Sequence, residues 1–142
     1  MRLLVILALV GGCSHKSAPT GAWCGSYTAE LRVRAAGDIE AMGLNEANRR
    51  HGSQELLAMV GSDPAINVAL DACSDANNDD PDAFEARSLR IIDLQAKIAT
   101  FVITHGEAPL DATQTGELRQ LVEQLATTFS GPAPAKSNVR GP

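Results

Sequence analysis

The sequence predicts an all-α protein: a small antiparallel bundle of about four helices with one disulfide. Apolar residues recur at steps of three and four in several segments, the period of a helix with one buried face. Two Asp-Pro pairs mark expected helix starts, and no run alternates apolar and polar residues long enough for a convincing strand. Helices with short connections favour an antiparallel bundle.

The first helix is predicted from a stripe that ends near Gly43. Its members are four, four, four, four and three residues apart: Trp23, Tyr27, Leu31, Ala35, Ile39 and Met42. The polar stretch from Asn45 to Gly52 is expected to be a loop or a frayed turn. Ser53 is the predicted cap of a short helix that ends at Gly61 and carries Leu56, Leu57 and Val60.

Asp63-Pro64 predicts the cap and first residue of a third helix, with a buried face of Ile66, Ala69, Leu70 and Cys73. Asp80-Pro81 repeats this pattern at the start of the longest helix, which is expected to run to about His105 and to end at Gly106. Its broad apolar face holds Phe84, Ile91, Leu94, Ile98, Phe101, Val102 and His105.

The last helix is introduced by Asp111 and Gln114, which have the spacing of a capping box. Its apolar stripe consists of Leu118, Leu121, Val122, Leu125 and Phe129. The bundle domain is therefore predicted over residues 21–130. Residues 131–142, which begin with Gly-Pro-Ala-Pro, are expected to form a disordered tail.

The first 13 residues have the features of an export signal: Arg2, the apolar run Leu3 to Val10, two glycines and Cys13. The run is too short to span a bilayer, which needs about 20 residues. Val10-Gly11-Gly12-Cys13 resembles the lipobox of bacterial lipoproteins. The resemblance implies cleavage before Cys13 and acylation of its thiol and new amine. An ordinary secretory signal with a cysteine near the cut is the alternative.

This resemblance defines residues 1–12 as a signal peptide and residues 13–20 as a lipidated tether. By similarity to enterobacterial lipoproteins, Ser14 after the cysteine, in place of an aspartate, implies the outer membrane, facing the periplasm, if the source is Gram-negative. With Cys13 lipidated, Cys24 and Cys73 remain as one disulfide pair in an oxidising compartment.

The mature chain is acidic, with 11 Lys and Arg after loss of Arg2 against 17 Asp and Glu. This charge does not suit nucleic acid, whose binding relies on basic residues, nor electrostatic docking onto anionic lipids. The acyl chains on Cys13 are therefore the expected membrane contact. A protein partner in the envelope is expected, but the sequence does not identify it.

The segment 71–85 carries six acidic residues, and Asp75-x-Asn77-x-Asp79 resembles the start of an EF-hand loop. The EF-hand pattern needs glycine at its sixth position and glutamate at its twelfth, but this chain has Asp80 and Ala86 there. Its seventh position is Pro81. We therefore predict a helix-start turn. An ion- or small-ligand-binding lipoprotein that uses this loop is the alternative function.

No catalytic or cofactor motif is found in the sequence. His15, His51 and His105 lack the spacing of zinc ligands. His105 with Met42 or Met59 has the ligand types of a non-covalent haem, but methionines on apolar stripes are ordinarily core residues. A disulfide-bonded Cys24 cannot act as a nucleophile. The expected function is a non-catalytic binding or scaffolding module without cofactor or metal.

Overall fold

The computed structural model describes residues 20–135, which fold into five helices. These are α1 (Thr20–Ala41), α2 (Glu46–Gly61), α3 (Ala65–Ala76), α4 (Pro81–His105) and α5 (Ala112–Ser130). The all-α class is confirmed, because residues 20–135 contain no strand. The signal peptide, the tether up to residue 19 and the tail from residue 136 lie outside the described residues, whereas residues 131–135 follow α5 without helix.

The expected number of about four helices is wrong by one, because one member of the bundle consists of two helices. Helices α2 and α3 follow each other with an angle of 51° between them. Together they run back along α1. Helix α2 starts beside the end of α1, and Cys73 in α3 is bonded to Cys24 near the start of α1. Helices α4 and α5 then complete an up-and-down arrangement.

The bundle has two ends that are referred to below. The disulfide end holds Cys24 and Cys73, and the Cys24 sulfur lies 3.9 Å from the carbonyl oxygen of Phe129 in α5. The far end holds the end of α1 and the connection before α5, where the Leu110 amide donates to the Met42 carbonyl at 3.3 Å. The described chain therefore begins and ends at the disulfide end.

The predicted stripe of α1 is buried from its middle onward but not at its start. Leu31, Ala35, Ile39 and Met42 are core residues, whereas the Trp23 side chain is 51% exposed. A step of four residues advances about 40° beyond a full helical turn, so a stripe of such steps rotates off the core face. At the start of α1, Cys24 and Thr28 take the buried positions instead.

Residues 46–52 of the polar stretch from Asn45 to Gly52 are helical, which corrects the assignment of this stretch as a loop or frayed turn. Asn45 caps α2, its side-chain oxygen accepting from the Asn48 amide at 3.0 Å. The first turns of α2 are polar because they face solvent, and Gly52 is the first buried residue of this helix. Ser53 is therefore an interior residue of α2 and not its cap.

Three other predicted helix starts are observed. The Asp63 carboxylate accepts from the Ala65 amide at 2.9 Å, although α3 itself begins one residue after Pro64. The Asp80 carboxylate accepts from the Ala83 amide at 2.8 Å, with Pro81 as the first residue of α4. Both hydrogen bonds of the capping box before α5 are formed.

Within residues 20–135, no single helix is both long and apolar enough to cross a membrane. Helices α2 and α3 meet the length and composition requirement only when taken together as a bent pair.

Candidate functional site

The predicted Cys24–Cys73 disulfide is present at one end of the bundle. Its Cα atoms are 4.9 Å apart, and both cysteines are buried in the core. The bond joins α1 to α3 across 49 residues of sequence. Cys13, the predicted lipidation site, lies outside the described residues.

Near the disulfide, Arg87 is fully buried and forms a two-point ion pair with Asp79. Its Nε donates to Oδ2 of Asp79 at 2.8 Å and its Nη2 donates to Oδ1 at 3.0 Å. The hydrogen bond from Arg87 is the main reason that the pKa of Asp79 lies below its usual range. Ser74 also donates to Asp79, at 2.7 Å.

The remaining nitrogen of Arg87 completes the end of α5. Its Nη1 lies within hydrogen-bond distance of three carbonyl oxygens, those of Thr128 at 2.7 Å, Phe129 at 3.0 Å and Gly131 at 2.6 Å. The last carbonyls of a helix lack intrahelical partners, so this arginine acts as a buried C-cap. Sequence reasoning missed Arg87, although it lies on the apolar stripe of α4, four residues before Ile91.

The acidic loop, residues 77–80 between α3 and α4, links helices at this end of the bundle. Asp79 is paired with Arg87, and Asp80 caps α4. The side-chain Nδ2 of Asn77 donates to the Cys73 carbonyl at 2.9 Å. Asn78 has a φ of 55°, the left-handed conformation that closes this turn. Within residues 20–135, no three His, Cys, Asp or Glu side chains lie close enough together to hold a metal ion.

The histidines and methionines considered above do not come together in one site. The Nδ1 of His105 lies 3.2 Å from the Gln114 side-chain nitrogen, and its ring is 4.5 Å from that of Phe101. His51 is exposed on α2, and His15 lies outside the described residues. Met42 and Met59 are buried in the core.

The contact between α1 and α2 buries one unpaired carboxyl oxygen. Oδ2 of Asp38 is buried and has no hydrogen-bond partner in the described part of the chain. Burial, followed by the charge of Glu55, raises the pKa of Asp38 to about 6, while His51 and Arg34 act in the opposite direction. The carboxyl group therefore begins to lose its charge just below neutral pH.

A groove of about 340 Å³ lies between α2 and the C-terminal end of α4. Leu57, Val102 and Ile103 supply its apolar wall, and Arg49, Arg50 and Glu46 lie on the α2 side. Glu107 lies where the chain leaves α4. This α2–α4 groove has the volume of a small ligand pocket, and pockets usually combine apolar walls with a few polar groups.

Two hydrogen-bond donors of the α2–α4 groove are not fully used by the protein. The Ser53 hydroxyl oxygen is buried and has no hydrogen-bond partner among residues 20–135. Arg49 donates to the Leu44 carbonyl at 3.3 Å but forms no ion pair with a carboxylate of those residues. Arg50, in contrast, is paired with Glu46 at 2.6 Å.

An exposed apolar stripe along α4 reaches this groove. Leu89 is 59% exposed, Ile92 is 56% exposed and Ile103 is 68% exposed, and the small exposed residue Ala96 lies between them. At about 100° per residue these positions share one face of α4, roughly 140° from the centre of its buried face. Ile103 belongs both to this α4 stripe and to the α2–α4 groove.

The chain matches no protein-family model, and comparisons with curated proteins and with solved structures find no significant match.

Proposed function

We propose that this protein is a membrane-anchored bacterial envelope lipoprotein that acts as a non-catalytic binding or scaffolding module. The observation that carries the binding role is the α4 stripe, a row of large apolar side chains turned away from the core. Exposed apolar patches commonly mark interaction sites, because leaving such surface in water is unfavourable unless a partner covers it.

The proposed anchor fits the way in which the chain enters the bundle. Helix α1 starts at Thr20, seven residues after the lipobox-like Cys13, and Cys24 then joins it to α3. Seven residues span at most about 25 Å even when fully extended. The disulfide end would thus lie near the bilayer, and the α2–α4 groove, towards the other end of α4, would remain accessible to a partner.

The proposed location is the outer membrane, facing the periplasm, for a Gram-negative source. It rests on the lipobox resemblance and on Ser14 at the position after the cysteine. The acyl chains would supply the membrane attachment, since the mature chain is acidic and each buried CH₂ contributes about 0.8 kcal/mol. The same acidity does not suit nucleic acid as a partner.

Fractionation of cells that produce Cys13→Ser tests the anchor. We expect this variant to move from the membrane fraction to the soluble fraction, whereas Ser14→Asp remains on membranes and changes from the outer to the inner one. Mass spectrometry of the wild-type N-terminal peptide should show acylated Cys13. A processed Cys13→Ser protein that stays tightly on membranes would contradict the lipid anchor.

A further inference from the structure

We infer that the α4 stripe and the α2–α4 groove together bind an amphipathic helix of a partner protein, and that a carboxylate on this helix pairs with Arg49. This inference rests on the proposed function and adds the surface and the chemistry of the partner. The stripe supplies the apolar contact, and the groove supplies the polar contact at one end of it.

The spacing of the α4 stripe suits a helical partner. Leu89, Ala96 and Ile103 are seven residues apart along α4, with Ile92 between the first two. A seam with this period faces a helix that lies along it, because side chains seven residues apart return to nearly the same side of the helix. The small side chain of Ala96, in the middle of the stripe, allows close approach there.

The α2–α4 groove favours a negatively charged hydrogen-bond acceptor on the partner helix. The Arg49 guanidinium has nitrogens left after its single bond to the Leu44 carbonyl. An unpaired guanidinium favours a carboxylate, which it can bind through two parallel hydrogen bonds. Glu46 does not satisfy Arg49, because it is paired with Arg50, so the partner's acid is expected on the α2 side of the groove, away from Glu107.

A second copy of the chain fits this surface less well than a partner helix. If two α4 stripes paired antiparallel about Ala96, Glu85 of one copy would come opposite Glu107 of the other, since both lie eleven residues from Ala96. If they paired in parallel, Glu85 would face Glu85. Like charges placed opposite each other oppose association in either orientation.

Site-specific photo-crosslinking in the producing cells tests the inference. A photoreactive amino acid replaces Leu89, Ile92 or Ile103 in the full-length protein, and Val33, which is 73% exposed on α1, serves as the matched control. We expect the three α4 positions, but not Val33, to crosslink to one and the same protein. The crosslinked peptide should be an amphipathic helix that carries an Asp or Glu near the site reached from Ile103.

Charge reversal then tests the role of Arg49. We expect Arg49→Glu to lower the crosslink yield from Ile103 about tenfold, whereas Arg119→Glu, on the exposed surface of α5, leaves it unchanged. Replacing the partner's acid by lysine should restore the yield with Arg49→Glu.

Several results would overturn the inference. These are crosslinks between copies of the chain, crosslinks to lipid alone, yields no higher than at Val33, or yields insensitive to Arg49→Glu. A partner that crosslinks at Val33 but not on α4 would refute this surface and leave the proposed binding function standing. The Cys13→Ser fractionation is read separately: retention of that variant on membranes would contradict the proposed anchor whatever the crosslinks show, so the two failures are distinguishable.

Discussion

Asp79 and Arg87 are joined by two hydrogen bonds inside the bundle, and this ion pair links the acidic loop to the end of α5. Both side chains are almost completely excluded from solvent. The carboxylate is held on one side of the guanidinium, and the last carbonyls of α5 lie on the other. The loop is therefore part of the framework that holds the disulfide end together.

Replacing Arg87 by alanine should destabilise the protein strongly. The change would leave the Asp79 carboxylate buried without its cation and remove the donor to the Thr128 and Phe129 carbonyls of α5 and to the Gly131 carbonyl that follows it. Removal of one partner of a buried ion pair typically costs about 3–5 kcal/mol. We expect a fall in melting temperature of ten degrees or more, measured by circular dichroism. Arg90→Ala, at a half-exposed arginine on the same helix, is the control and should change it little.

Loss of the disulfide should lower stability by a comparable amount. In the chain-entropy model, opening a loop of about 50 residues costs roughly 4 kcal/mol. We expect Cys24→Ala with Cys73→Ala to melt at least ten degrees below the wild type, and reductant to lower only the wild-type value. Unreduced peptide mapping of exported protein should find the two cysteines linked. Free thiols at both positions would contradict this prediction.

The sequence was sufficient to predict the helical class and the start of α4, because each depends on local signals. The disulfide was predicted from the cysteine count instead, since Cys24 and Cys73 remain as a pair once Cys13 is assigned to the lipid. Asp80-Pro81 and the Asp111–Gln114 capping box can be recognised from a few neighbouring residues. The start of α2 was missed because its polar residues were taken as a sign of a loop, although Asn45 is a good helix cap.

The parts of the site that the sequence did not predict depend on contacts between distant segments. Arg87 meets the end of α5 across more than 40 residues of sequence, and Ile103 joins the groove only because α2 packs beside α4. The predicted buried stripe of α4 left out Leu89, Ile92 and Ile103, but periodicity did not show whether another helix would cover them. The buried stripe was recognised, but nothing local showed that Leu89 and Ile92 would remain exposed.

Gly52 is required where α2 crosses α1. A Cβ atom at this position would overlap the carbonyl oxygen of Asp38, and it would lie 3.1 Å from the Cβ of Ala41. Since backbone atoms cannot yield as a flexible side chain does, Gly52→Ala should push the helices apart and cost about 1–3 kcal/mol, measured by urea denaturation. Gly25→Ala is the control, because no atom lies within 4 Å of its added Cβ. This second change should be neutral or stabilising.

Calcium should bind the acidic loop no more tightly than millimolar. In the folded protein the Asp79 carboxylate is occupied by Arg87, and Asp80 caps α4. Calorimetry at physiological ionic strength should show no saturable heat at micromolar calcium, and calcium should not raise the melting temperature. A micromolar site abolished by Asp75→Ala would contradict this prediction and favour the ion-binding alternative.

Asp38 should make the protein more stable in mild acid than at neutral pH. Its pKa in the folded protein is about 6, above the value of about 3.9 in an unfolded chain, because burial disfavours the charged form. Between these two pKa values the folded state binds more protons than the unfolded state. The free energy of unfolding therefore falls as pH rises through this range, and it stays at its lower value above the pKa of the folded protein. The melting temperature should therefore rise between pH 7.5 and pH 5.

Asp38→Asn separates this effect from other titrations, since it keeps the shape of the side chain and removes its charge. We expect the variant to melt above the wild type at pH 7.5 and to show a smaller change between pH 7.5 and pH 5. Asp38 faces Glu55 and His51 of α2 and Arg34 of α1, so Glu55→Gln should give a weaker change in the same direction. Glu40→Gln, at an exposed position on α1, is the control and should follow the wild-type curve. Parallel pH profiles for wild type and Asp38→Asn would show that the unpaired oxygen of Asp38 does not control this dependence.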